Sequence, residues 1–279
     1  MTPSPTLVWA RLELAESLRS KWVAFAVTLY VLMAATFVWL GLRESSVLGF
    51  TGLTRVLLNV SNAVLLVFPL VVLTGTHGAV VRAKTSGFFE LMLTQPTKRS
   101  EWFAGLLLSR LLVLIGPLAV LLLGMGLAAQ LLGTEPGLLK VAARSLAVVV
   151  ALIFSFVGMG LWVSSRARTT ERAMVWALGI WALTAALHDV LLIATLLRTS
   201  LPAEAVFFLA ALNPSEAARI GLLSSVDPEL SVLGPVGFWL ANSLGPARTL
   251  AIAVGWPLLL GAFATWRAKR NLETRDLVA

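Results

Sequence analysis

Apolar residues along this chain come in long blocks separated by short polar breaks, and the block lengths set the expected elements. Six blocks reach the roughly 20 residues needed to cross a hydrocarbon core: Trp22 to Leu42, Val56 to Thr76, Phe103 to Leu132, Leu138 to Val163, Ala173 to Leu197 and Ala247 to Trp266. The third exceeds that need, so its first turns, up to Arg110, are expected at the interface. Ahead of them, Leu7, Val8, Leu12, Leu14, Ala15 and Leu18 recur at helical spacing with Arg11, Arg19 and Lys21 beside them and Glu13 and Glu16 on the polar side. That pattern predicts an amphipathic helix within residues 1–21, lying in the membrane surface and leading into a six-helix unit over 22–279.

Two breaks are unlike simple loops. The polar island from Arg82 to Glu101 encloses a short helical pattern, Phe88 to Leu93, opened by Thr85, Ser86 and Gly87 and closed before Pro96. It is too short to cross a bilayer and too apolar for a solvated loop, so it is either a lid over its own bundle or a knob offered to a soluble partner. The other long break, 198–246, contains the apolar run Ala205 to Leu212, then Asn213-Pro214-Ser215-Glu216, then a turn-rich segment. It carries too many apolar residues for a linker, and predicts a small cap of short helices packed on the outer face.

Charge gives the orientation. Lys and Arg crowd the breaks on the side of the termini, at Arg82, Lys84, Lys98, Arg99, Arg166, Arg168, Arg172, Arg267, Lys269 and Arg270, and are sparser on the other, at Arg43, Arg55, Lys140, Arg144, Arg198, Arg219 and Arg248. Both termini and the island are therefore expected in the cytoplasm. A composition of 58% hydrophobic and 13% charged residues, with mean hydropathy +0.88, agrees with an all-α polytopic membrane protein. The net charge of +8 sits in those short clusters, as topology requires, so no nucleic-acid partner is expected. Cysteine is absent, which excludes thiolate metal sites, and the scattered methionines make a poor relay for Cu(I).

Candidate chemistry is sparse. Gly78 to Thr85 nearly fits the phosphate-binding GxxxxGK[ST] pattern, with Ala83 in place of the second glycine, but it leaves a membrane helix with no strand before it. No HExxH, nucleophile elbow or paired-aspartate motif appears, and His77 and His188 fall near opposite faces of the membrane. The chain is accordingly expected to have no catalytic residues, no metal and no bound cofactor. An intramembrane enzyme assembled from scattered residues is the competing class. His188-Asp189 is the ionisable pair inside a predicted span, which makes it a functional candidate, with a structural hydrogen bond to a neighbouring helix as the alternative. Arg110 and Arg144 are expected to snorkel to headgroups. Gly124, Gly126, Gly158 and Gly160 are expected at close helix contacts.

The layout resembles the membrane subunit of an ABC-2 type transporter, a type V exporter-like arrangement: surface helix, two spans, a coupling helix, and four more spans with an outer cap before the last. Gly87-Phe88-Phe89-Glu90-Leu91-Met92-Leu93-Thr94-Gln95-Pro96-Thr97-Lys98-Arg99 is similar to that family's G-T-x-x-x-L-L-x-x-P-x-x-R stretch, departing from it at Phe88. Arg82 and Lys84 also stand where acidic residues are common. The resemblance implies that Gly87 to Pro96, with Arg99, fits a cleft in a separate cytoplasmic ABC ATPase, present in two copies, which would hold the ATP and Mg. Further on, the segment around Asp189, Leu212 to Ile220 and Leu233 to Leu240 resemble the permease of the nitrous oxide reductase maturation transporter. That narrower likeness implies a homodimer in a bacterial inner membrane and a periplasmic maturation or copper-handling partner met through Asn213, Pro214, Glu216 and Arg219. The system's role would be assembly of copper-sulfur centres. A generic ABC-2 exporter of a lipid or drug-like substrate is the alternative within the family.

Overall fold

A computed structural model describes residues 4–48, 67–94, 97–131, 137–226, 230 and 234–274. Every element among them is helical: α1 Pro5–Leu18, α2 Lys21–Leu48, α3 over 67–76, α4 Ala79–Thr85, α5 Phe88–Leu93, α6 Arg99–Leu131, α7 Leu138–Arg166, α8 Thr170–Ala182, α9 His188–Arg198, α10 Ala203–Ala211, α11 Pro214–Val226, α12 Gly234–Trp239 and α13 Gly245–Thr274. Single π-helical turns, Leu183–Leu187 and Leu240–Leu244, join α8 to α9 and α12 to α13.

Among the described residues, four helical stretches are long and apolar enough to cross a membrane: Arg99–Gly124, Leu139–Arg166, Thr170–Arg198 and Gly234–Thr274. These are the last four predicted spans. Of the second predicted span only 67–76 is described, and the first falls within α2. The helices outlast their apolar blocks. α13 runs on to Thr274 because Arg267, Lys269 and Arg270 are good helix formers, and because Ala268 and Leu272 stay buried.

Hydrogen bonds tie one end of the bundle together. The Trp102 indole N–H donates to Glu13 (3.0 Å), joining α6 to α1. Arg99 donates to the Leu272 carbonyl (3.3 Å) and Asn271 to the Ser165 hydroxyl (2.9 Å), joining the end of α13 to α6 and α7. The beginning of α6, the ends of α7 and α13, and α1 thus share one face, called the terminal face below. α7 and α13 run parallel towards it and cross closely: a Cβ on Gly158 would sit 2.6 Å from the Gly261 carbonyl oxygen. α7 is the central helix, with Val148, Leu152, Phe156, Val157 and Leu161 all 1% exposed or less. Gly126 packs on Leu139 and Gly160 on Thr76, as expected, whereas Gly124 faces open space.

The outer cap is a correction. α10 and α11 meet at 116°, and neither is long enough to cross alone. Arg198 ends a crossing that leaves the terminal face and Gly234 begins one that returns to it, so the pair must enter and leave on the same side. Its tip lies deep. The Trp256 indole donates to the Leu212 carbonyl (3.0 Å), and Trp256 is about 17 Å below the start of α13 at Gly245. The Asn213 amide donates to the Thr184 carbonyl (2.7 Å), about halfway along α8–α9. Residues 203–226 therefore form a re-entrant hairpin wedged into the bundle, where the expectation was helices resting on its outside. The reason is that α11 is apolar or small on the sides facing α7 and α13: a Cβ on Gly221 would sit 2.5 Å from the Ala253 Cβ and 3.1 Å from a Val148 methyl. Non-helical backbone at membrane depth is tolerated where protein encloses it, and Asn213 is 4% exposed.

Candidate functional site

On the terminal face, the expected short helix forms as α5 with the predicted bounds, Phe88–Leu93. Gly87 enters it at φ +73°, a left-handed conformation that side-chain-bearing residues rarely adopt. Its carbonyl then accepts from the Glu90 and Leu91 N–H groups (3.1 and 3.3 Å). Three residues apart, Phe89 and Met92 face inward and are buried, while Glu90, Leu91 and Thr94 face out. An aromatic nest holds the inner side: Phe89 lies 5.1 Å from Trp102, Phe88 5.5 Å from Trp102 and 5.7 Å from Trp9. Leu91 is 68% exposed, an apolar knob held rigidly above the surface. The side chain of Leu93 lies outside the described atoms, as do Gln95 and Pro96. Arg99 bonds inward to α13, so it fixes the bundle beneath the knob.

α4 carries this knob and takes its own cap from another helix. The buried Ser164 hydroxyl on α7 accepts from the Val80 and Val81 N–H groups (2.9 and 3.1 Å), the first-turn donors that a helix cannot satisfy itself. The Lys84 ammonium donates to the Ser165 carbonyl. Two amides of the near-phosphate-loop pattern, those of Val80 and Val81, are thus occupied by protein.

Sequence reasoning missed the tie beneath α1. Arg110 does not snorkel to the headgroups: it is 12% exposed, lies 3.9 Å from the Glu13 carboxylate and donates to the Ser17 hydroxyl (2.7 Å). Burial pushes Glu13 above the usual carboxylate range, and Arg110 and the Trp102 N–H offset part of that rise. The available signal was the spacing of small residues on α1: Ala10 and Ser17 are its buried positions, and Ala10 sits against Gly105. Arg144 is half-buried on α7.

A second polar group lies in the outer half. His188 places Nε2 3.1 Å from the Leu209 carbonyl and Nδ1 3.6 Å from the Asp189 carboxylate, so α9 touches the hairpin. On α11, Arg219 lies 3.5 Å from Glu216. Asn213 caps α11 by accepting from the Ser215 N–H (3.0 Å) and, with Pro214, forms the buried tip. Of the residues assigned to an outside partner, Asn213 and Pro214 thus point into the bundle, whereas the Arg219 side chain is 39% exposed. Among the described residues no group of His, Asp and Glu could hold a metal ion.

Nearly the whole chain matches a family profile. Residues 7–272 match that of the ABC-2 family transporter proteins. The chain belongs to that family. As an ABC-2 permease it is a multi-pass membrane subunit. It is 29% identical over 263 residues to the "Probable ABC transporter permease protein NosY" of Stutzerimonas stutzeri, covering 91% of this chain and 92% of the relative. It is 30% identical over 270 residues to the protein of the same name from Pseudomonas aeruginosa, covering 89% of this chain and 97% of the relative.

Proposed function

We propose that this ABC-2 permease is the membrane half of a transporter whose energy comes from a separate cytoplasmic ABC ATPase, two copies of which dock on α5 of a permease homodimer. The observation that carries this reading is the exposed face of α5. A 68% exposed leucine flanked by Glu90 and Thr94, locked from behind by Phe89, Met92 and Trp102, is a surface built to be gripped. Movement of the knob is passed to α7 through the Ser164 cap and to α13 through Arg99, and from those two helices to the hairpin wedged between them. The output is a rigid-body shift of the hairpin at the outer face.

Dimerisation is supported by α8–α9. None of the apolar window of this span is buried within the chain, and it presents Asp189 with 41% of its side chain exposed, about 14 Å from the outer end at Arg198. A carboxylate at that depth faces protein or water and not lipid, and a second copy supplies that cover. The likeness to the NosY proteins directs the output to a periplasmic partner and to copper-sulfur centre assembly in nitrous oxide reductase, in a bacterial inner membrane with both termini cytoplasmic.

The test is co-purification from native membranes in mild detergent, comparing the natural chain with a Glu90→Lys, Leu91→Asp variant. Arg99 is left alone because its reversal would also break the bond to α13. An ABC ATPase that accompanies the natural chain and is lost from the variant is the expected result. Retention of the ATPase by the variant, or its absence from both, overturns the reading. An exported maturation protein in the natural complex distinguishes the specific role from that of a generic exporter.

A further inference from the structure

Between the end of α7 and the start of α8, on the terminal face, lies a cleft of about 570 Å³ lined by Trp162, Arg166, Arg168, Arg172, Trp176 and Ile180. Its size falls within the range of small-ligand sites, roughly 300–1,000 Å³. Three exposed arginines stand at the mouth, within seven residues of sequence. Among the described residues none of them has a carboxylate partner within 4.0 Å. The acid of that turn, Glu171, is engaged by Thr169 and its own backbone N–H. Arg166 stacks over Trp162 at 6.0 Å, and Trp176 on α8 is 67% exposed. Beyond Trp176, the same side of α8 continues into the membrane as half-buried Ile180 and exposed Leu183.

The cleft is thus amphipathic along the membrane normal, cationic at the headgroup level and apolar below it. We infer that it binds an anionic phospholipid of the leaflet on the terminal face, with Arg166, Arg168 and Arg172 around the headgroup phosphate and an acyl chain running past Trp176 along α8. A second copy of the chain does not suit this cleft, because it would bring the same uncompensated arginines with it. A free phosphate would meet the arginines but would leave the tryptophan walls and the exposed α8 face unused. Basic pockets between spans at the cytoplasmic level are where acidic headgroups are recognised elsewhere. The inference rests on the family and the cleft, and not on the ATPase reading.

The experiment uses the purified full-length chain, delipidated in detergent and offered phosphatidylglycerol or phosphatidylcholine, with bound lipid read by native mass spectrometry. Retention of phosphatidylglycerol alone is expected, together with about thirtyfold weaker retention in an Arg168→Gln, Arg172→Gln variant, since each interfacial arginine is worth about one factor of five in affinity. The matched control is Arg267→Gln, Arg270→Gln, which removes two arginines stacked on Trp266 at the same face but outside the cleft, and which keeps the lipid. Equal loss in that control would reduce the effect to general surface charge and overturn the inference. So would equal retention of phosphatidylcholine, displacement of the lipid by inorganic phosphate, or its displacement by the partner ATPase, which would make the cleft a protein contact. ATPase co-purification is scored on the same variants, so that loss of the lipid and loss of the partner are separate readings.

Discussion

Ser164 lends its hydroxyl to a helix more than eighty residues away in sequence, and Ser164→Ala isolates that loan. The alanine fits, since it only removes an atom from a side chain that is 0% exposed. What it leaves are the N–H groups of Val80 and Val81, both on residues that are also 0% exposed, with no hydroxyl to receive them. Loss of a helix cap costs about 0.5–2 kcal/mol, and a buried donor left unpaired about 1–3 kcal/mol. Two donors sharing one lost acceptor place the expected destabilisation at about 2–4 kcal/mol, which at about 2–4 °C per kcal/mol lowers the thermal midpoint by roughly 4–16 °C. The assay is thermal unfolding of the purified chain beside Ser155→Ala. Ser155 is equally buried, but its hydroxyl only donates to Leu152 within its own helix, so that variant should be close to neutral. If the two alanines behave alike, the cap is energetically empty and α4 is held by side-chain packing alone. In the reconstituted complex, Ser164→Ala should also retain its ATPase, because the outer face of α5 is untouched, while transmitting the ATPase's motion less completely.

Three further perturbations address other joints. Gly158→Ala forces a Cβ to within 2.6 Å of the Gly261 carbonyl and should cost about 1–3 kcal/mol of overpacking, whereas Gly124→Ala, in open space, should be neutral or slightly stabilising; paired unfolding curves decide this. Glu13 has a raised pKa, so the folded chain holds a proton that the unfolded chain has already released, and this part of the stability is lost as pH rises above 4.5 through the folded value. Glu13→Gln should flatten the stability–pH curve in that window, and an unchanged slope would place the titration elsewhere. Asn213→Ala removes both the bond to Thr184 and the cap on α11, and should loosen the hairpin by about 1–3 kcal/mol, read as faster proteolysis or hydrogen exchange over residues 203–226.

Much of this architecture was legible because membrane insertion imposes a strong pattern. Block length located the last four crossings, and the opening at Thr85, Ser86 and Gly87 with the stop before Pro96 located α5 to the residue. The hairpin was harder for a physical reason. α10 has 9 residues and α11 has 13, both below spanning length, and the Asn213-Pro214 break reads as a surface turn unless one knows that Thr184 and Trp256 lie on either side of it. Arg110 was misplaced because snorkelling assumes lipid as its neighbour, and the docking of α1 along α6 showed in the sequence only as the small residues Ala10 and Ser17 seven positions apart. The role of α5 was readable only as alternatives, lid or knob; exposure of Leu91 beside burial of Phe89 is the observation on which the proposal of a knob rests.

The π-helical turn at Leu183–Leu187 changes how this span must be mapped. One additional residue in a turn displaces everything beyond it by about 100° relative to a regular helix. The angle between Trp176 and Asp189, about 220° on a single 3.6-residue wheel, is therefore wrong by about 100°. A cysteine or spin-label scan along Thr170–Arg198, interpreted on one continuous wheel, would show its periodicity break near Leu187 and would suggest two unrelated surfaces. Two phase-shifted wheels, joined at that turn, should instead restore a regular periodicity on each side of it.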